Sequence, residues 1–341
     1  MKMNVGIIGC GSITEFRHAP EYTNHPHVKD VFFYDRNLDR AKRLASIFNG
    51  KVVDEMEQMF KDSSIHAISD CSSNESHHIV TTQALLNDKH VLCEKPIANT
   101  ISDAEKMIKT AKESGKILMI AQNQRFTKAH KKAKELIHSG ILGKVLTFKT
   151  SFGHKGPEHW GVTKSNATWF FKKERSFIGV AGDLGIHKVD LLRYLLNDDI
   201  EEVSSFQGAL HKKNEEGSPI EVCDNIVGIL KTKKGALGTA SFSWTYYGDG
   251  DDSTIIHLEK GCIKINHNPQ FDIEITTIDG KKQTYQYDAN HHDTNSGVID
   301  NFVDSIIHQR QPLVTGEDGL ASLKVIMAMV KSAETRKVVM V

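Results

Sequence analysis

Short apolar runs alternate with amphipathic stretches through the first third of the chain. Val5 to Ile8, Val31 to Tyr34, Val52-Val53, Ile65 to Ser69, Val91-Leu92 and Ile117 to Ile120 have the β-branched, turn-bounded character of strands. Between most of them lie stretches with helical spacing. One is Asp39 to Phe48, stopped by Asn49-Gly50; another starts at the capping box Ser102-Asp103-Ala104-Glu105 and stops at Gly115. Strands that alternate with helices predict right-handed βαβ units and a parallel sheet covered on both faces.

From about Val145 the runs lengthen, alternate with period two and are joined by turn signals. Ile226 to Lys231 and Leu237 to Trp244 flank Lys233-Lys234-Gly235, Ile255 to Leu258 and Cys262 to Ile265 flank Lys260-Gly261, and Ile273 to Ile278 and Gln283 to Tyr287 flank Asp279-Gly280. These are antiparallel hairpins. Helical patterns at Ile186 to Leu196, Gly297 to His308 and Glu317 to Arg336 are expected to cover one face of that sheet. The expected fold class is α/β: a dinucleotide-binding domain over residues 1–123, then an α+β domain with an open, mainly antiparallel sheet over 124–341. The basic stretch Lys128 to Lys134 is read as a solvated helix face.

Composition narrows the function. A chain of 341 residues suits about two domains. Its 43 Lys and Arg balance 43 Asp and Glu, so it lacks the basic footprint of a nucleic-acid binder and better suits an uncharged small molecule. The longest apolar run, Val325 to Val330, is far short of the ~18–20 residues of a membrane span, and Met1 to Gly9 does not have the form of a signal peptide. No membrane partner is expected. Five scattered cysteines without a C-x-x-C pair are expected to be reduced thiols of a cytoplasmic protein.

Gly9-Cys10-Gly11-Ser12-Ile13 follows the first strand and opens a helix, with Thr14 where the third glycine of G-x-G-x-x-G would stand. In a dinucleotide site, Gly9 makes the turn and Gly11 lets main-chain N–H groups approach a pyrophosphate. A plain glycine turn between strand and helix is the alternative. Asp35 ends the second strand, where a carboxylate accepts the ribose hydroxyls and repels a 2′-phosphate. That favours NAD, while Arg36 leaves NADP open. Cys71, Ser72, Asn74 and His77, then Glu94 and Lys95, then Gln122 and Asn123 occupy or follow further strand ends and complete the candidate cofactor set. Asn74 could equally be the N-cap of the helix from His77 to Leu86.

The candidate catalytic residues lie in two places. Lys95, in Glu94-Lys95-Pro96, stands at the end of the fifth strand, where a lysine is poorly suited to a buried sheet unless it faces a ligand. Asp183 and His187, in Gly182-Asp183-Leu184-Gly185-Ile186-His187-Lys188-Val189-Asp190, are four apart on one face of a helix start, with Gly185 permitting close approach of a ligand. Hydride transfer from an alcohol needs a base for the hydroxyl proton, and an imidazole serves. An ammonium stabilises the developing alkoxide, and a carboxylate orients the imidazole or binds a hydroxyl. The alternative is an N-cap aspartate and a packed histidine.

The fingerprint Gly9 to Ile13, Glu94-Lys95-Pro96, Arg125-Phe126 and the run Gly182 to Asp190 together resemble the glucose-fructose oxidoreductase / inositol 2-dehydrogenase (Gfo/Idh/MocA) family over essentially the whole chain. Ile178-Gly179 keeps one glycine of the pair that usually precedes the last motif. The resemblance implies an N-terminal Rossmann domain, a C-terminal domain with an open antiparallel sheet and the cofactor between them. It also implies catalytic roles for Lys95, Asp183 and His187, and a homodimer or homotetramer formed through the sheet.

For the substrate, a sugar or cyclitol offers apolar C–H faces and many hydroxyls. The loop Phe152 to Trp160 and the run Trp169-Phe170-Phe171 supply aromatic platforms beside polar groups. The candidate substrate residues are Lys95, Arg125, His154, Trp160, Trp169, Asp183, His187 and His292, although Trp160 and Trp169 could also be packing residues. His291-His292-Asp293 lacks a third ligand at suitable spacing, so no metal is expected. The function expected is an NAD(P)-dependent dehydrogenase acting on a secondary hydroxyl of a sugar or cyclitol. The alternatives are an NAD-retaining glycosidase and a non-catalytic sensor.

Overall fold

A computed structural model describes residues 2–162, 164–287 and 295–341. The chain forms two compact units, one of Met1–Asn123 with Asn290–Ala321 and one of Gln124–Ala289 with Ser322–Val341.

The first unit holds strands β1 (Met3–Ile8), β2 (Val28–Tyr34), β3 (Lys51–Val52), β4 (Ile65–Asp70), β5 (His90–Cys93) and β6 (Leu118–Ile120). Helices α1 (Ala19–Asn24), α2 (Leu38–Ile47), α3 (Met56–Lys61), α4 (His77–Leu86) and α5 (Ile101–Ser114) alternate with them. All pairings are parallel, in the order β3-β2-β1-β4-β5-β6. Val5, Ile7, Phe33, Ala67, Ile68, Val91 and Leu92 are fully enclosed, because helices on both faces leave a parallel strand no wet side. Every strand expected here is present. The start of α5 differs from expectation: Thr100, not Ser102, is the N-cap, its hydroxyl accepting the N–H of Asp103 at 3.1 Å. Two overlapping Ser/Thr-x-x-Asp/Glu boxes compete there, and the earlier one takes the free N–H groups. Gly115 ends the helix in the left-handed region, as expected.

The second unit carries α6 (Lys128–His138), β7 (Val145–Gly153), α7 (Lys173–Ser176), α8 (Ile186–Leu196), β8 (Ile200–Gly208), β9 (Asn225–Thr232), β10 (Leu237–Ser243), β11 (Thr254–Leu258), β12 (Gly261–Asn268), β13 (Phe271–Thr277) and β14 (Lys282–Tyr285), with β15 (Val339–Met340) at the chain's end. The order is β14-β13-β12-β11-β7-β10-β9-β8-β15, and only the β10–β7 pair is parallel. The expected hairpins are the pairs β9–β10, β11–β12 and β13–β14. One sheet face is buried through Phe148, Leu230, Ala240, Phe242, Ile256 and Ile263; the other leaves Leu146, Phe206, Val227, Ile229 and Leu237 exposed.

Two further helices are α9 (Val298–Ile307) and α10 (Gly316–Thr335). α9, expected on the second sheet, belongs to the first unit. There Ser296 donates to Glu21 through its N–H and its hydroxyl at 2.8 and 3.0 Å, and the Val314 carbonyl accepts the N–H of Ile120 at 3.2 Å. An apolar helix face shows that a helix is half-buried, not which sheet it covers.

Candidate functional site

In the first unit the glycine turn closes the top of β1. Gly9 has φ +97°, and a Cβ there would lie 2.3 Å from the Cys71 carbonyl oxygen, so glycine is required on both counts. The N–H of Cys10 donates to Asp35 Oδ2 at 2.8 Å and that of Asn37 to Oδ1 at 2.8 Å, so Asp35 ties the turn to the end of β2. Thr14, in place of the third glycine, is buried with its hydroxyl donating to the Gly9 carbonyl at 2.5 Å. The helix then opens as a π-turn, Thr14–His18, a form frequent at functional sites. A Cβ on Gly11 would meet nothing within 4 Å. Ser12 is half-buried, and Ile13 and Arg36 are exposed.

The remaining candidates of this unit stand past strand ends. Beyond β4, Asp70 holds the Ser72 hydroxyl at 2.6 Å and the Thr81 hydroxyl at 2.9 Å. The ring nitrogens of His77 lie 2.8 and 3.1 Å from the carbonyl oxygens of Pro96 and Ser72, bracing the ends of β4 and β5 against each other. Cys71 and Asn74 are buried. Asn74 is not a helix cap: it opens the short turn Asn74–Ser76 ahead of α4, and the residue before α4 is Ser76. Past β5 the Lys95–Pro96 bond is cis, and Glu94 makes contact with His18, a residue the sequence reading passed over. Past β6, Gln122 is 1% exposed, and among the described residues neither polar atom of its amide has a hydrogen-bond partner. Asn123 opens the short turn that carries Arg125 in the second unit.

In the second unit a second π-turn, Ala181–Gly185, leads into α8. Asp183 is buried, and its Oδ2 accepts the indole N–H of Trp244 at 3.0 Å. His187, one turn on, is half-buried with its ring 6.2 Å from that of Phe152. Gly185 does not open the site to a ligand, contrary to expectation: a Cβ there would strike Phe242 at 2.7 Å, so its bareness serves core packing. Gly179, at φ +52°, would strike the Cys223 carbonyl at 2.4 Å, which explains why this one of the expected pair remains. Ile178, in place of the other, packs on Gly182.

Arg125 is paired with Asp190 through two contacts of 2.7 Å, with the side chains 6% and 1% exposed. Breaking such a pair from one side costs about 3–5 kcal/mol, so the fork ties Arg125 firmly to α8. His154 accepts the N–H of Gly156 at 3.0 Å and meets Trp160 edge-on at 6.1 Å. Trp160 meets Phe170 at 5.1 Å, Trp169 stacks on Phe170 at 3.9 Å, and Phe170 lies 6.3 Å from Trp244. An unbroken series of rings thus runs from His187 through Phe152, His154, Trp160 and Phe170 to the indole that holds Asp183. A cavity of about 460 Å³ opens beside Phe152 and His154, walled by Asp249, Asp251, Asp252 and His267. Burial opposes the charge of Asp251, but Ser253, Ser151 and Lys188 hold its carboxyl below the usual range. His292 lies outside the described residues.

Sequence reasoning missed Trp244 and His18. Trp244 follows an alternating strand, yet nothing local marks it as the partner of Asp183, 61 positions away. His18 follows the fingerprint by five residues, but nothing local marks it as the partner of Glu94, 76 positions away.

The first unit has the strand order of a dinucleotide-binding sheet, and its residues fit such a ligand: open space over Gly11, a carboxylate closing β2 and an unsatisfied amide past β6. Fold and site together define a nucleotide-dependent oxidoreductase. Residues 3–122 match the model described as oxidoreductase family, NAD-binding Rossmann fold, and residues 130–264 match that of the GFO/IDH/MocA C-terminal domain. The chain belongs to the GFO/IDH/MocA family of oxidoreductases. Myo-inositol 2-dehydrogenase of Thermotoga maritima is 26% identical over 342 residues, 98% of this chain and 97% of its own length. D-glucoside 3-dehydrogenase of Escherichia coli is 32% identical over 196 residues, 57% of this chain and 54% of its own. A solved structure, levoglucosan dehydrogenase in complex with NADH and levoglucosan, is similar in fold with a TM-score of 0.90 at 20% identity, covering 100% of this chain and 99% of that one.

Proposed function

We propose that the protein is an NAD-dependent dehydrogenase that moves a hydride between the nicotinamide and a secondary hydroxyl or ketone of a pyranose or cyclitol. The observation that carries this reading is Asp183, fixed by the Trp244 indole, one turn before a half-exposed His187 in an aromatic surround. The relatives' names, an inositol dehydrogenase and a glucoside dehydrogenase, support the substrate class.

NAD, when bound, supplies the hydride acceptor. Gly9, Gly11, Ser12 and Ile13 would offer main-chain groups to its pyrophosphate, Asp35 would accept ribose hydroxyls, and Gln122 would use its amide on the polar groups nearby. On the substrate, His187 takes the hydroxyl proton at a ring nitrogen. Lys95 donates to the same oxygen and stabilises the negative charge that grows there. Asp183, held on one oxygen by Trp244, keeps the imidazole or a second hydroxyl oriented with the other. Phe152, His154, Trp160 and Trp169 offer ring faces to the C–H surface of the sugar. Arg125 acts through Asp190 as a positioning residue.

The exposed stripe of Leu146, Phe206, Val227, Ile229 and Leu237 supports a homodimer or homotetramer built through the open sheet face. No helix among the described residues is long and apolar enough to cross a membrane, and the thiols of all five cysteines are free, which supports a cytoplasmic location.

The test is purified protein with NAD or NADP against cyclitols, aldoses and glycosides, followed by reduced-cofactor absorbance. Stoichiometric reduction by at least one polyol is the expected outcome. Glycoside cleavage without net reduced cofactor would replace the dehydrogenase by a glycosidase. NAD binding with no turnover across the panel would leave a sensor.

A further inference from the structure

Next to Lys95 lies a buried ionic cluster that the reaction scheme does not use. His18, the last residue of the first π-turn, is 1% exposed. Its Nε2 lies 2.9 Å from Glu94 Oε1 and its Nδ1 2.8 Å from Ser69 Oγ, which also receives the Tyr22 hydroxyl at 3.4 Å. The second oxygen of Glu94, Oε2, accepts the main-chain N–H of Lys95 at 3.1 Å. A carboxylate only accepts, so the proton on Nε2 belongs to the ring. One carboxylate thus joins the helix that opens after the glycine turn to the peptide unit that carries the lysine.

The charges agree with this geometry. Burial works against a charged ring, but the Cys71 sulfur and the Glu94 carboxylate beside it raise His18 to about 10. Burial likewise opposes the charge of Glu94, and His18 more than offsets it, holding the carboxyl below its ordinary value. The other titratable groups facing the ring, Tyr22 and Glu21 on α1, are pushed up by burial. An apolar pair of equal volume would join these elements as firmly; what the ion pair adds is a fixed direction for the carboxylate.

We propose that His18 is a positioning residue for the reaction: by clamping Glu94 it fixes the peptide of Lys95 and ties the turn that would hold the dinucleotide to the lysine that acts on the substrate hydroxyl. The inference rests on the role proposed above for Lys95. Without His18 the enclosed carboxylate must rotate toward water or take up a proton; rotation releases the Lys95 N–H, and protonation weakens the hold on it. Misplacement of a catalytic group by about 1 Å can cost on the order of 100-fold in rate.

The experiment compares full-length His18→Leu, His18→Gln, Glu94→Gln and Lys95→Ala with the wild type. In protein without NAD, ring-nitrogen NMR of labelled histidine should show His18 protonated on both nitrogens to about pH 9, and Glu94→Gln should lower its titration. With the best polyol of the panel, His18→Leu should lower kcat about 30-fold while KM and the NAD dissociation constant stay within about threefold. His18→Gln, whose amide still donates to Glu94, should regain most of the loss. An unchanged kcat in His18→Leu beside an inactive Lys95→Ala overturns the inference and leaves the role of Lys95 standing. A parallel fall of kcat, NAD affinity and melting temperature without rescue by glutamine also overturns it, since that is a structural role alone. Full activity in Lys95→Ala overturns the parent reading itself. If His18→Leu fails to fold, His18→Gln and Glu94→Gln carry the same comparison.

Discussion

After β1 the chain enters a helix through the π-turn Thr14–His18, and ahead of α8 it does so again through Ala181–Gly185. The first turn is made of backbone: Gly9 at φ +97°, Gly11 with open space beside it, and Thr14 hydrogen-bonded back to the Gly9 carbonyl. The second presents side chains, Asp183 held by a distant indole and His187 against a phenylalanine ring. A widened turn redirects successive groups within a few residues, and the two regions use it for different ends. On the reading proposed above, one would offer main-chain donors to the dinucleotide, and the other would present a base and the carboxylate that orients it. Substitutions in the two should therefore fail in different ways.

The largest separation is expected from glycine. In Gly9→Ala the new Cβ meets backbone at a left-handed φ, so stability should fall by about 2–3 kcal/mol and NAD affinity by about 100-fold. Gly11→Ala should fold with stability within about 0.5 kcal/mol of the wild type and lose about tenfold in NAD affinity, because only the ligand's space is filled. Calorimetric titration and thermal unfolding check both. If Gly11→Ala were as unstable as Gly9→Ala, the backbone argument would be wrong.

Trp244→Phe tests the other turn. It removes the donor to Asp183 and keeps the ring, so kcat should drop about tenfold and stability by about 1–2 kcal/mol, with NAD affinity unchanged. Steady-state kinetics with direct NAD titration separates the two effects.

The smallest effect is a pH dependence confined to the second unit. Asp224 accepts the N–H groups of Leu210, His211 and Lys212 at 2.8, 2.8 and 2.7 Å. Burial opposes its charge, but these bonds hold its carboxyl below the ordinary value. A folded value below the unfolded one of about 3.9 means that the stabilisation is complete above the unfolded value and is lost as pH falls through the folded one. Asp224→Asn should cost about 1 kcal/mol at neutral pH, and the gap from wild type should close as the pH falls below the unfolded value of about 3.9 and through the folded one. Urea unfolding at several pH values measures it.

The contrast between the turns also explains what could be read from sequence. The parallel sheet was legible because buried strands, glycine stops and helical spacing are local signals, and the fingerprint was legible because a backbone site needs glycine at set positions. The hairpins of the second unit were legible from alternation. What was not legible is pairing at a distance: that Trp244 holds Asp183, that Asp190 takes both arms of Arg125, and that Phe242 fills the space above Gly185. α9 failed for the same reason, since its apolar face does not name the sheet it meets. His18 shows the limit most clearly, because a histidine inside a helical run looks the same whether it faces solvent or a buried carboxylate.

On the proposed reading, one turn binds the cofactor and the other conducts the chemistry, with Lys95 supporting it. Measuring the NAD dissociation constant and the turnover number side by side in wild type, Lys95→Ala and His187→Ala tests it most directly. The expected result is NAD binding within about threefold of wild type in both variants and turnover lower by about 100- to 10,000-fold. Turnover kept in His187→Ala, or NAD binding lost together with turnover, would contradict it.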